Sequence, residues 1–299
     1  MIIVKLMGGL GNQMFQYAIG RNLAHRHRTE LKLDHTFLEL SRNIATPRQY
    51  ELDCFNVSCS RASRADCSAV AQSGRKGVNL WIMSVQPIAW QMAWSQRVIR
   101  EHSCRLGPYL LDASDNIYLQ GYWQSELYFA DIAEILRKEF QVRTPLAGEN
   151  LRIAAAIKNC CSVSVHIRRG DYVTDQKTAA IHGVCSLKYY TSAVEMLIKE
   201  LPAPHYFVFS DDIAWAKANL CLNHPMTFVD HNAADKGHED LRLMSLCRHH
   251  IIANSSFSWW GAWLNPCPEK IVIAPDRWFN DPTKDTSDLI PASWRKIKP

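Results

Sequence analysis

The sequence contains no Asp-x-Asp, no Cys-x-x-Cys and no Gly-Lys-Ser/Thr. The first absence removes the short carboxylate pair that holds a divalent metal against a diphosphate in many enzymes. The second, with no Cys/His array at zinc spacing, excludes a zinc module. The third excludes a P-loop. No apolar run reaches the roughly twenty residues that span a bilayer, and the opening strand Met1–Met7 meets glycines before it could become a signal segment. Lys and Arg form no dense patch, and the formal net charge is only +5, so nucleic acid is not an expected partner. The ten cysteines then read as free, packed thiols of a reducing compartment, the adjacent Cys160-Cys161 among them. Cys54, Cys59 and Cys67 form the one cluster open to another use. The expected location is the cytoplasm, with peripheral membrane contact permitted by the mild positive charge.

What is present is an ordinary globular composition, 47% hydrophobic and 21% charged over 299 residues, enough for two modest cores. Strand and helix patterns alternate along the chain, which predicts an α/β fold. The first half opens with a strand, a glycine turn, a helix over about 12–28 and a second strand ending at Asp34. Between 79 and 96 a helical stretch carries Trp81, Trp90 and Trp94, read as core, as an acceptor groove or as a membrane-facing lip. Pro145 and Gly148 mark a break between helices over 129–140 and 149–158, so the expected domains are 1–145 and 146–299. The second half alternates again, with helices over 187–201 and 238–247 and strands over 205–209, 227–229 and 249–253.

Ser162-Val163-Ser164-Val165 reads as a buried strand that delivers His166-Ile167-Arg168-Arg169-Gly170-Asp171-Tyr172 to a sheet's carboxyl edge, where open α/β sheets bind ligands. Two adjacent arginines there point to an anion with oxygens to share, most simply a diphosphate. A second strand, His249–Ala253, runs into Asn254-Ser255-Ser256-Phe257-Ser258-Trp259-Trp260-Gly261-Ala262-Trp263. Small hydroxyl residues after a strand predict a helix N-terminus, capped by serine, whose N–H groups and dipole suit a phosphate. The tryptophans read as packing for that helix.

Together HIRRGDY, NSSFSWWGAWLN and the opening GGLGNQMFQYA resemble the α-1,2-fucosyltransferases of glycosyltransferase family 11, in the same order and across both halves. The resemblance implies a GT-B-like fold, with two Rossmann-like domains facing each other across a cleft. Domain 1–145 would take the acceptor side and 146–299 would bind GDP-fucose. It implies inverting, metal-independent transfer of L-fucose from GDP-β-L-fucose to the 2-hydroxyl of a terminal β-galactose. The setting implied is bacterial O-antigen or capsule assembly, on a lipid-linked oligosaccharide, with no cofactor. Donor contacts carried over are His166, Arg168, Arg169, Asp240, Asn254, Ser255, Ser256, Asn12 and Gln13. Asp240 would accept from guanine N1 and N2, and Arg168 would neutralise the departing β-phosphate.

The catalytic set is Arg168, Asp171 and Asp175, and the general base stays open. Asp171 beside two arginines is a weak base and a better ion-pair partner. Asp175 lies one position from the place of a related enzyme's catalytic glutamate, where this chain has Gln176. His182 lies in the same loop. Asp211-Asp212 reads as a strand-ending turn. Two rival functions fit parts of the sequence. A dinucleotide oxidoreductase would use Gly9-Leu10-Gly11 and Asp34, but Met14 stands where the third glycine belongs. A lectin would use the abundant tryptophan and tyrosine, yet lectins are usually all-β. A transferase of the same fold with another donor or linkage remains the alternative.

Overall fold

Short β-branched and apolar runs in both halves form strands because each can bury both faces beneath crossover helices. A computed structural model describes residues 1–40, 47–73 and 97–299, and the tryptophan-rich stretch 79–96 lies outside them. The chain separates into two compact units, Met1–Glu139 and Phe140–Pro299.

The first unit runs β1 (Ile2–Lys5), α1 (Leu10–His27), β2 (Leu31–Asp34), α2 (Thr36–Leu40), β3 (Ser60–Arg61), α3 (Arg64–Ser73), β4 (Val98–Arg100), β5 (Ile117–Gln120) and α4 (Ala133–Glu139). Its sheet has the order β3-β2-β1-β5-β4, and every pairing is parallel. The sequence pattern shows β1 and β2 but not the three short strands beyond them. Runs of two to four residues carry little periodicity by which to stand out. The helix expected over 129–140 begins instead as two 3-10 turns, Glu126–Tyr128 and Ala130–Ile132, before α4.

The second unit continues with α5 (Gly148–Lys158), β6 (Ser162–Ile167), α6 (Gly170–Thr174), α7 (Gln176–His182), α8 (Leu187–Leu197), β7 (His205–Ser210), α9 (Ile213–Asn219), β8 (Met226–Phe228), α10 (Gly237–Leu246), β9 (His249–Ile251), α11 (Ser256–Leu264), β10 (Val272–Pro275) and β11 (Arg295–Ile297). The sheet order is β11-β10-β9-β6-β7-β8, again all parallel. Both units are therefore Rossmann-like α/β layers. From β6 the chain winds outward through β7 and β8, then returns to β9 and winds the other way. That reversal makes β6/β9 a topological switch point. The same logic places β1 between β2 and β5 in the first unit.

The alternation Ser-Val-Ser-Val-His-Ile in β6 sorts its two faces. Val163, Val165 and Ile167 enter a core with Tyr189, Tyr190, Ala193 and Val208. Ser164 and His166 are equally buried on the opposite face. Ser164 Oγ lies 2.8 Å from His250 Nδ1, and Asn265 Nδ2 lies 3.0 Å from His250 Nε2. An amide nitrogen can only donate, so Nε2 accepts and Nδ1 carries the proton to Ser164. Burial, then the Lys270 and His249 charges, hold His250 uncharged.

Helix α11 is fixed mainly by aromatic packing. Trp259 and Trp260 are fully buried and Trp263 nearly so. Their rings meet one another, Trp294 and Phe140 at 5.0–6.0 Å, and Trp259 Nε1 donates to Leu289 O at 2.9 Å. At its C-terminal end the Lys270 ammonium donates to the carbonyls of Ala262 and Asn265 at 2.8 and 2.6 Å. That cation satisfies last-turn carbonyls and matches the dipole. The N-terminal end differs from expectation: Ser255 is the N-cap residue but makes no side-chain cap bond. Ser258 turns its hydroxyl back onto Ala253 O and Ser255 O. A missing cap costs about 1 kcal/mol. Each buried tryptophan contributes roughly 4–6 kcal/mol at about 25 cal/mol per Å². Packing therefore wins, and the helix holds its place with its first N–H groups uncapped by side chains.

Candidate functional site

The switch point brings together the two loops singled out in the sequence. In β6/β9 pairing, Val165 lies opposite Ile251, so the chain leaves both strands on the same sheet edge. Arg168 follows β6, and Asn254-Ser255-Ser256 follow β9 into α11.

Arg168 is partly buried in a cradle of carboxylates. Nη2 donates to Asp171 Oδ1 at 2.6 Å, and Nη1 lies 3.1 Å from Asp211 Oδ2. The guanidinium carbon sits 5.2 Å from the Tyr172 ring centre. Burial opposes its charge, but Asp211, Asp171 and Tyr172 outweigh burial and raise its pKa. Its Nε is buried with no acceptor. Gly170 makes the cradle possible, since a Cβ there would lie 2.4 Å from Asp211 Oδ2.

Arg169 is held differently. Its backbone N–H donates to Asp211 Oδ1 at 2.8 Å, while its guanidinium lies 3.8 Å over the Trp215 ring and 3.5 Å from Asp212 Oδ2. Asp212 also accepts from Trp215 N at 3.2 Å as the N-cap of α9. The Asp211-Asp212 turn thus supports both arginines. Asp171 is spent on Arg168, as an ion-pair partner. Asp175, the C-cap of α6, accepts from Thr178 Oγ1 at 2.8 Å.

His166 is buried to 3% exposure with its ring 5.4 Å from Phe257 in the first turn of α11. Burial, then the Arg168 charge, push its pKa down to about 3, so the ring is neutral at physiological pH. Its Nδ1 has no hydrogen-bond partner. The motif segment thus contains two buried, unsatisfied polar atoms, on His166 and Arg168. Such groups are scarce in folded proteins and concentrate where a ligand completes them.

Asn254 serves the scaffold. Its Nδ2 donates to His182 O, Trp278 O and Gly183 O at 2.9, 3.2 and 3.4 Å, tying the α7 loop to the segment after β10. Tyr172 Oη donates to Asn254 O at 3.3 Å. Ser255 is buried and Ser256 half-buried at the head of α11.

Asp240 sits apart from the arginines, in the first turn of α10. Asn232 Nδ2 donates to it at 2.7 Å, and Asn150 and His231 continue the network. Burial raises its pKa to about 6, against the lowering hydrogen bond from Asn232, with Glu239 adding to the rise. Asn232 and Asn150 carry no pattern in the sequence that ties them to Asp240; they meet it only in three dimensions.

Asn12 and Gln13 belong to the first unit. Asn12 Oδ1 accepts from Gln124 Nε2 at 2.8 Å, joining the first turn of α1 to the loop after β5. Gln13 is fully buried and spends both ends on backbone, donating to Gly8 O and Gln49 O and accepting from Glu51 N. It anchors the 49–51 loop, a scaffold role in place of the expected ligand contact. Glu51 beside it has a raised pKa, because burial outweighs the nearby Arg48.

Among the described residues no group of three or more His, Cys, Asp or Glu side chains could hold a metal ion, and no helix is long and apolar enough to cross a membrane.

Fold and site define an α/β protein with paired arginines and a helix N-terminus at its topological switch point. Residues 92–298 match the profile of glycosyl transferase family 11. The chain is 34% identical to an α-1,2-colitosyltransferase of Escherichia coli, covering 99% of both proteins. It is 31% identical to the O-antigen biosynthesis glycosyltransferase WbnK of Escherichia coli, over 95% of this chain and 97% of that one. Half of the chain is 25% identical to the Bos taurus galactoside 2-alpha-L-fucosyltransferase SEC1, of which it spans 42%. The chain belongs to glycosyltransferase family 11 and is a glycosyltransferase.

Proposed function

We propose that this enzyme transfers L-fucose from GDP-β-L-fucose to the 2-hydroxyl of a terminal β-galactose, with inversion and without a metal. The observation that carries the reading is the β6/β9 switch point, which joins Arg168 to the N-terminal end of α11. Breaking the bond between sugar and diphosphate leaves an oxocarbenium-like sugar and growing negative charge on the β-phosphate. Arg168, fixed by Asp171 and Asp211, is preorganised to meet that charge. The uncapped N–H groups of α11 and the hydroxyls of Ser255 and Ser256 complete an anion site. Asp240 accepts from guanine N1 and N2, which selects guanine over adenine, because adenine presents no donor at N1. The neutral His166 ring completes the nucleotide side. Asn12 lies with the acceptor end in this reading, and neither Asp171 nor Asp175 is assigned as base.

The named activities of the relatives support an α-1,2 linkage and an O-antigen setting, and we infer a lipid-linked oligosaccharide acceptor at the membrane's inner face. The identity to the colitosyltransferase favours a second reading, in which the same site transfers colitose, a 3-deoxy form of fucose. Purified enzyme with GDP-fucose and lactose in EDTA should release GDP and give a 2-linked product. Faster turnover with the 3-deoxy donor would move the assignment to colitose. No GDP binding at all would overturn the nucleotide reading.

A further inference from the structure

The loop that follows Arg168 builds a continuous stack that the donor chemistry does not use directly. Tyr172 lies parallel to the His182 ring, with centroids 4.6 Å apart and planes 11° apart. His182 also meets Phe279, tilted by 45°, at 5.3 Å. A cation closes each end: Arg168 lies 5.2 Å from the Tyr172 ring, and Lys284 Nζ lies 4.6 Å from the Phe279 ring. The stack is pinned from behind. Asn254 Nδ2 holds His182 O at 2.9 Å, and Asn280 bonds Ile181 O and Ala179 O at 2.8 and 3.0 Å. Gly183 allows this approach, with φ +65° and no space for a Cβ, which would lie 2.5 Å from Asn280 Oδ1.

A histidine in this loop invites a proton-transfer role, but its surroundings favour another. Its Nδ1 is buried with no hydrogen-bond partner. The charged groups that act on it are Asp171, Lys284 and Arg168, and burial together with the two cations outweighs Asp171. A protonated ring would be buried within reach of two cations, Lys284 and Arg168, both of which disfavour its charge. The neutral ring, in contrast, gives Tyr172 a flat support, and Tyr172 in turn backs the guanidinium of Arg168.

We propose that His182 is a positioning residue, an uncharged plate that holds Tyr172 against Arg168 and so aims Arg168 at the donor phosphate. The inference rests on the reading of Arg168 as the phosphate ligand. In this role the ring nitrogens are dispensable and the flat shape is not.

The test compares wild type, His182→Phe, His182→Ala, Tyr172→Leu and the double variant His182→Ala/Tyr172→Leu. Readouts are GDP affinity by calorimetry, kcat and KM for the donor, the pH–rate profile and the melting temperature. His182→Phe should stay within about threefold of wild type with an unchanged pH profile. His182→Ala should lose roughly 3- to 10-fold in GDP affinity and in kcat/KM, the size of one stacking contact. The double variant should be no worse than the poorer single variant, since both act through one contact. A His182→Phe protein that folds but has lost most of kcat, with a limb missing from its pH profile, would show a proton carrier and overturn the proposal. Wild-type affinity and rate in His182→Ala would also overturn it while leaving the nucleotide reading intact. A wild-type enzyme that binds no GDP defeats both.

Discussion

Asp240 offers the sharpest test of the nucleotide reading, because its charge state is set by its surroundings and can be moved by pH. Burial lifts its carboxyl to about 6 in the free protein, despite the Asn232 hydrogen bond. Guanine presents two donors along one edge, so only the ionised carboxylate pairs fully. The free protein takes up a proton as pH falls through about 6, and the complex resists that protonation. Affinity must therefore be highest above pH 7 and fall as pH drops. A group of pKa about 6 is roughly nine-tenths ionised at pH 7 and one-tenth at pH 5, which makes binding about tenfold weaker at pH 5. The ligand should be GDP-fucose without acceptor, since the terminal phosphate of GDP itself titrates near 6. Asp240→Asn should weaken binding by about 10- to 100-fold at pH 7 and remove this pH dependence. The same shift acts on stability with the opposite sign. A carboxyl whose folded pKa is raised disfavours the fold as pH rises from about 4 through 6. Asp240→Asn should then be more stable than wild type at pH 7, by on the order of 1–3 kcal/mol. Isothermal calorimetry from pH 5 to 8 measures the first effect and urea melts the second. A flat affinity profile in wild type, or an Asp240→Asn protein that binds normally, would refute the assignment of guanine to this carboxylate.

Two further outcomes follow from the same geometry. Arg168→Lys replaces a fork that reaches Asp171 and Asp211 together with a single point charge. Sugar transfer should drop by about 10²–10³ while the melting temperature moves little, and wild-type turnover would remove Arg168 from the mechanism. Lys270→Met keeps the stem but removes the ammonium that caps α11. It should lower stability by about 1–2 kcal/mol in a urea titration, with kcat preserved in the folded protein. No change in the midpoint would mean those carbonyls are satisfied without it.

Much of the fold was legible from residue order alone. Strand–helix alternation announced two α/β units, and the long patterns of α1, β6, β7 and α10 stood near their observed limits. So did the placement of two arginines at the end of β6 and of a helix start after β9. These are local properties, set by periodicity, by glycine and serine at strand ends, and by the cost of burying charge. The short strands β3, β4 and β5 were not legible, because two to four residues form a strand only when a neighbour supplies the ladder. Tertiary structure alone decided that β6 and β9, more than eighty residues apart, lie side by side, and that pairing brings the two motifs to one sheet edge. It also decided which polar side chains bond the frame. Gln13 and Asn254 have the same chemistry as binding residues, but buried backbone groups claimed their hydrogen bonds first. His182 could be named from the sequence as a base, yet its stack on Tyr172 exists only because the segment after β10 folds back beneath α7. Chemistry is written residue by residue, whereas the competition for each side chain's partners is settled only once distant segments pack together.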